Sequence, residues 1–327
     1  MQGCLVRILV TGGSGFIGSH VVEVLLASGD RVLNYDLKAP IFEHHREYWF
    51  QGDILDSARL DSGFSGFAPD AVIHLAAKAD IQADSWSGFT SIHQGTGSLL
   101  DAIDRYGRLD RLVNISTQLV IGPEHQPRSM LDYRPYTTYG EAKAYAEALL
   151  LQWRSPTHWL IVRPANIWGP HYPAFANAIW KYIRRRVYLH PDTSKPVMRT
   201  YGYVKNAAEQ IVALMRCDPS QTDRQIFYVA DAVLDSAVWV DAFAFALTGK
   251  PSRRMKSPIL RMMGWAGDIA GKFGRRLPID SGRVMRMTQS YPVPLGPTMA
   301  FTGTPRINLE TGVAETAAWL RSLKDWG

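Results

Sequence analysis

Runs of branched apolar residues alternate with segments of helical period through the first two thirds of the chain. Val6–Thr11, Arg31–Asp36, Ala71–Ala77, Arg111–Thr117 and Trp159–Asn166 read as buried strands, rich in Val, Ile and Leu. Phe16–Ser28, a stretch around Leu99–Tyr106 and Tyr139–Trp153 read as helices between them. This alternation predicts an α/β fold, a doubly wound parallel sheet with helices on both faces. Right-handed crossovers then bring the C-terminal ends of the strands to one edge, where ligands bind.

Beyond residue 167 the pattern loosens, punctuated by Pro170, Pro173, Pro191 and Pro196. A helix over Asn206–Met215, a strand over Gln225–Ala230, and helices over Ser236–Leu247 and Leu309–Leu323 are predicted. Residues 250–305, rich in Arg, Met, Gly and Pro, give no clear assignment. The expected division is a dinucleotide-binding domain over 1–170, rejoined by elements near 200–230, and a smaller C-terminal substrate-binding lobe over most of 171–327. Internal repeats and low-complexity segments are absent from the sequence.

The first chemical signal is Thr11-Gly12-Gly13-Ser14-Gly15-Phe16-Ile17-Gly18, where a buried strand runs into a helix through spaced glycines. Gly12 permits a tight turn, Gly15 lets the backbone approach a pyrophosphate, and Gly18 lets helix and strand pack closely. The positive end of the helix then faces the diphosphate of a dinucleotide. Asp36 ends the second strand 18 residues after Gly18. A carboxylate there accepts hydrogen bonds from an adenosine ribose and repels a 2′-phosphate, which favours NAD over NADP. Arg31 and Lys38 lie near it in sequence and leave NADP open. Asp53, in Gly52-Asp53-Ile54, either meets the adenine amino group or closes a helix cap or turn, as Asp56 could equally.

Tyr139 and Lys143 open a predicted helix at a spacing of four, one turn apart on one face. A phenol of ordinary pKa, about 10, is a poor base at neutral pH. A neighbouring ammonium stabilises the phenolate, so the pair can move a proton between itself and an alcohol or ketone while hydride moves elsewhere. The preceding strand ends at Ser116-Thr117, where a hydroxyl can polarise the reacting oxygen.

Taken together these segments resemble the extended short-chain dehydrogenase/reductases, in particular their nucleotide-sugar epimerase/dehydratase branch. The resemblance covers residues 5–230 and rests on Thr11–Gly18, Asp36, Asp53-Ile54, His74–Ala77, Gly95-Thr96, Ser116-Thr117, Tyr139 with Lys143, and Arg163–Pro170. It implies a Rossmann-type domain with NAD lined by Ile54, Ala76, Ala77, Lys78 and Pro164. It makes Thr117, Tyr139 and Lys143 the catalytic set, and Asn166 and Arg199 the holders of a nucleotide-sugar diphosphate. It also implies a homodimer. Several positions depart from the pattern: Ile121 and Ile92 replace a common Tyr and Asn, Asn206 replaces a common Asp, and no late Arg-Pro-Gly-Asp stretch appears. Gln118-Leu119 stands where the dehydratases of the branch carry Asp-Glu, which argues against 4,6-dehydration and for a 4-epimerase or 4-keto-sugar reductase.

Composition narrows the alternatives. The 327 residues are 46% hydrophobic and 20% charged, an ordinary globular balance. No apolar run reaches membrane-span length, and Leu5–Val10 leads into the glycine turn as a strand rather than a secretory leader. Two cysteines, Cys4 and Cys217, set no metal or disulfide spacing, which fits a reducing cytoplasmic setting. The net charge of +6 is spread along the chain without a nucleic-acid motif. Two basic runs, Arg184–Arg186 and Arg253-Arg254 with Lys256, read as solvated helix faces. His44, His45, His93 and His171 have no metal-ligand spacing, and His74 reads as a core histidine. Pro258–Arg276 reads as a lid helix packed on the lobe. Two other readings stay open: a dehydrogenase of hydrophobic alcohols, with Pro258–Arg276 as an amphipathic segment on a membrane or apolar pocket, and a dinucleotide-binding sensor without turnover.

Overall fold

The computed structural model describes residues 6–78, 85–123, 125–172, 179–275, 277 and 279–323; Cys4, Pro173 and Arg276 lie outside them. The chain divides into two compact units. One comprises Met1–Ile167, Val204–Asp231 and Pro294–Pro305, the other Trp168–Tyr203, Ala232–Val293 and Arg306–Gly327.

The first unit is built on strands β1 (Arg7–Thr11), β2 (Arg31–Asp36), β3 (Trp49–Gln51), β4 (Ala71–His74), β5 (Arg111–Ile115) and β6 (His158–Pro164), with a seventh at Ile226–Val229. All pair in parallel, in the order Ile226–Val229, β6, β5, β4, β1, β2, β3. This is the doubly wound Rossmann order, with its switch point between β1 and β4. Helices α1 (Phe16–Ala27) and Val204–Arg216 cover one face; α2 (Ser57–Phe67), α3 (Thr90–Tyr106) and α4 (Thr138–Gln152) cover the other. Alternate residues of β1 show why both faces need covering. Ile8 and Val10 pack toward α1 and Val204–Arg216, whereas Leu9 packs with Leu60, Leu99 and Leu100.

Several elements differ from the pattern read in the sequence. The fourth and fifth strands stop at His74 and Ile115, so Ala76–Lys78 and Thr117 lie in the loops beyond them. Helix α3 starts at Thr90, nine residues before Leu99, and runs through Gly95 and Gly97, which weaken helices in isolation. A β-carbon at position 95 would lie 2.7 Å from Ile54 Cγ2, so close packing against Ile54 requires glycine there. Helix α2, which sequence periodicity does not reveal, is capped by Asp56, whose carboxylate accepts from the Arg59 N–H at 2.9 Å.

The second unit has an aromatic centre. Trp168, Trp180, Trp239 and Phe243 converge with ring centroids 4.8–6.1 Å apart. Strand Met198–Tyr203 pairs antiparallel with Ala232–Asp235, and Leu189–Asp192 pairs in parallel with Arg253–Lys256. Arg253 and Arg254 therefore lie on a strand, not on a helix face. Arg254 is paired with Asp241 at 2.5 Å, and Arg186 donates to the Pro251 carbonyl oxygen at 2.7 Å. The unassigned stretch 250–305 contains helices Ser257–Lys272, Ser281–Thr288 and Gly296–Thr302. None of the helices among the described residues is long and apolar enough to cross a membrane.

Candidate active site

The parallel sheet carries the implied groups of the first unit to one edge. Gly12–Gly18 follow β1, Asp36 ends β2, Ala76–Lys78 follow β4, Thr117 follows β5, and Pro164 and Asn166 stand at the end of β6. Each lies at or just beyond the carboxyl end of its strand, around the switch point.

The glycine turn fits a dinucleotide diphosphate. Gly12 has φ +76°, and a β-carbon on it would sit 2.5 Å from the Ala76 nitrogen. A side chain there would thus drive β1 and β4 apart. At Gly18 the added carbon would meet the Gly12 carbonyl oxygen at 2.1 Å, so α1 could not seat against the turn. Gly15 N-caps α1, and the helix has neither a side-chain cap nor an acid in its first turn. Its positive end is left for an anion. Phe16 and Ile17 are the first two residues of that helix.

Asp36 is tied to the same turn: Oδ2 accepts from the Ser14 N–H and Oδ1 from the Lys38 N–H, each at 2.9 Å. Burial raises its pKa and those two N–H groups oppose the rise. Arg31 sits at the opposite end of β2, about 16 Å away for five strand steps. It therefore does not offset the Asp36 charge toward a ribose phosphate. Asp53 closes a turn onto the Leu55 N–H at 3.0 Å and leaves the capping of α2 to Asp56. Ile54 is a core residue packed on α3.

Tyr139 and Lys143 are both buried. Lys143 Nζ donates to the Ile115 carbonyl oxygen at 2.6 Å, which pins α4 to the end of β5, two residues before Thr117. Burial draws the Lys143 ammonium down to about 8, against the opposing charge of Glu147. Thr117 starts a single turn over Gln118–Val120, its Oγ1 accepting from the Leu119 N–H at 3.3 Å. Ser116 Oγ beside it is buried without a hydrogen-bond partner among the described residues. His74 is a core residue: Nδ1 shares a hydrogen bond with Thr11 Oγ1 at 2.7 Å, Nε2 lies 3.3 Å from Thr96 Oγ1, and burial draws it down to about 3, so the ring is neutral.

Two features of this site were not read from the sequence. Gly140, between the tyrosine and the lysine, faces the Leu119 carbonyl oxygen, which a β-carbon would approach to 2.4 Å. Only glycine lets α4 start against the turn that bears Thr117. Gly140→Ala should therefore cost about 1–3 kcal/mol of stability, and displacement of Tyr139 from Thr117 should lower kcat beyond what the melting shift explains. Thermal unfolding and steady-state rates on one preparation check both. The second feature is Glu147, four residues after Lys143. It is fully buried and paired with Arg163 of β6 through two hydrogen bonds, Nε to Oε1 at 2.9 Å and Nη2 to Oε2 at 2.6 Å. The Tyr133 hydroxyl donates to the same carboxylate at 2.8 Å. The available signal was an arginine ending an otherwise apolar run, Trp159–Val162, which demands a buried partner.

Elsewhere, Glu23 Oε2 lies 2.8 Å from Nε2 of both His44 and His45, a hydrogen-bonded group that brings two adjacent histidines onto one carboxylate of α1. Asn166 has φ +41°, and Asn206 Nδ2 donates to Asp231 at 3.1 Å. Arg199 belongs to the second unit, where its guanidinium donates to the Arg286 carbonyl oxygen.

Comparison with known proteins accords with this geometry. The chain is 35% identical to a dTDP-glucose 4,6-dehydratase of Streptomyces niveus over 51% of its own length and 56% of that protein's, so it spans about half the length of that relative. It is 26% identical, over 86% of its length and 85% of the other's, to an N-acetyl-α-D-glucosaminyl-diphospho-undecaprenol 4-epimerase of Escherichia coli O157:H7. The UDP-glucose 4-epimerase of Thermus thermophilus, solved with NAD, superposes with a TM-score of 0.70 at 23% identity, over 97% of this chain and 99% of that one. A family model matches residues 8–230, and the chain belongs to the NAD dependent epimerase/dehydratase family.

Proposed function

We propose that the chain is an NAD-dependent 4-epimerase of a sugar carried on a diphosphate. The observation that carries this reading is the buried Tyr139/Lys143 pair, fixed to the end of β5 beside Thr117. Bound NAD supplies the acceptor and donor of hydride. The Tyr139 phenolate takes the proton of the C4 hydroxyl and returns it to the 4-keto oxygen after the sugar has turned. Lys143 stabilises the phenolate, and the Thr117 hydroxyl donates to the reacting oxygen. Asp36 holds the adenosine ribose, with Asp53, Ala76, Ala77, Lys78 and Pro164 along the rest of the cofactor. Asn166 meets the substrate diphosphate, and the second unit acts as the substrate lobe.

Positions 118 and 119 separate this chemistry from that of the dehydratase relatives. Loss of water across C5 and C6 needs a base and an acid, and Gln118 and Leu119 supply neither. Reduction of a 4-keto sugar would use the same residues but consume cofactor. A second reading, in which the diphosphate bears a polyprenol rather than a nucleoside, is favoured by the E. coli relative, which matches 86% of this chain. The working form is a cytoplasmic homodimer, with Tyr145, half exposed on α4, in the shared face.

The test is incubation with UDP-, dTDP- and polyprenyl-diphospho-sugars, reading product configuration and cofactor balance. Inverted C4 without net cofactor change supports the proposal. Stoichiometric consumption of reduced cofactor with a 4-keto sugar replaces it with a reductase, and silence across the panel defeats it.

Lys143 also fixes a pH dependence. Its folded value, about 8, lies below the ordinary lysine value of about 10.4. As pH rises through about 8 the folded chain loses the ammonium, so kcat falls. Between about 8 and 10.4 the unfolded chain binds the extra proton, so this group's contribution makes stability rise with pH. Opposite slopes in turnover and in denaturant midpoint over that window are expected.

A further inference from the structure

Helix Ser257–Lys272 has two apolar sides, and among the described residues only one of them is covered. Leu260, Gly264 and Gly267 are buried; a β-carbon on Gly267 would lie 1.9 Å from the Ile279 carbonyl oxygen, so the helix rests directly on that backbone. The opposite side would ordinarily be polar. Here it carries Ile259, Met262 and Trp265, continued by Phe273 just past the helix end, with Met262, Trp265 and Phe273 exposed by 63%, 64% and 80%.

Charge singles out the same segment. Residues 253–286 contain nine Arg and Lys against two Asp, while the whole chain has 36 against 30. The positive excess is thus not spread along the chain, as a first reading of the sequence suggests, but resides in this segment, and the remainder is close to neutral. Arg261 and Lys272 flank the apolar side, and Arg275 follows Phe273; all three are exposed.

We infer that this helix lies on an anionic phospholipid surface, its Met262–Trp265–Phe273 side in the headgroup boundary and its flanking cations on lipid phosphates. Apolar insertion or basic attraction alone gives marginal binding, and the two together give stable attachment. A second copy of the chain would bring the same positive charge against itself; an anionic bilayer meets both features. The inference does not depend on the substrate, because attachment is read without turnover.

The experiment is sedimentation of the full chain with vesicles of phosphatidylcholine alone or mixed with phosphatidylglycerol. The chain should sediment with the anionic vesicles and be released by high salt. The triple variant Met262→Ser/Trp265→Ser/Phe273→Ser should lose binding by about tenfold or more, with unchanged circular dichroism. Arg261→Glu/Lys272→Glu, which alters surface charge only, should lose binding to the anionic vesicles as well. Absence of the wild-type chain from the anionic pellet overturns the inference, as does full binding by either variant. A wild-type dimer that the triple variant dissolves, with no vesicle uptake, assigns the face to a second copy instead.

Discussion

Tyr139→Phe should lower kcat by roughly 100- to 10,000-fold, the range expected for loss of a positioned acid-base group, while NAD affinity and melting temperature stay close to wild type. The substitution removes one oxygen. The ring stays in the apolar pocket of Phe89, Ile92, Ala142 and Ala146. Lys143 remains held by the Ile115 carbonyl, and the glycine turn, on β1 and α1, is untouched. A loss confined to turnover, measured beside NAD titration and thermal unfolding, identifies the phenol as the proton carrier. Wild-type turnover in this variant would remove Tyr139 from the chemistry.

Glu147→Ala should destabilise the protein by about 3–5 kcal/mol, lowering the melting temperature by on the order of 10 °C. Both partners of the Glu147–Arg163 pair are fully buried. Burial alone would lower the Arg163 pKa, but the hydrogen bonds and charge of Glu147 outweigh it and hold the guanidinium above its usual value. Without Glu147 that cation keeps, among the described residues, hydrogen bonds to the Met130 carbonyl at 2.8 Å and the Tyr228 hydroxyl at 3.2 Å and the ring faces of Tyr133 and Tyr228, none of them anionic, and an uncompensated buried charge is the costly state. Removing both charges, as in Glu147→Leu/Arg163→Met, should recover much of the loss, because well-packed apolar residues often match a buried ion pair. A double variant as unstable as the single one would show that the pair's value lies in its fixed geometry. Tyr139, Lys143 and Glu147 stand one turn apart along α4, so loosening the last turn of this series also loosens the first two.

The sequence made the site's ends legible and left its middle obscure, for a physical reason. Gly12, Gly15 and Gly18, Asp36, and the Tyr139/Lys143 spacing announce themselves because strand-turn-helix geometry and helical periodicity are local. The strand and helix cores of the first unit were legible on the same ground. Gly140 could not be read, because its constraint is the Leu119 carbonyl, which the fold brings against it. Glu147 looked like any helix-surface acid until β6 placed Arg163 opposite. Helix Ser257–Lys272 was legible as an amphipathic segment over Pro258–Arg276 but not in its bounds, because Gly264, Gly267 and Gly271 lower helix propensity; packing on the Ile279 backbone overrides that cost. Arg31 seemed to threaten the reading of Asp36 only while strand length was ignored.

The most direct test of the central claim uses a substrate sugar with deuterium on C4. If hydride leaves C4 and returns to the same carbon, the epimerised product retains the deuterium, with none appearing in water and no net change in free cofactor. Product that has lost its C4 deuterium to solvent would mean proton abstraction at carbon, and would contradict the hydride chemistry assigned to Tyr139, Lys143 and Thr117.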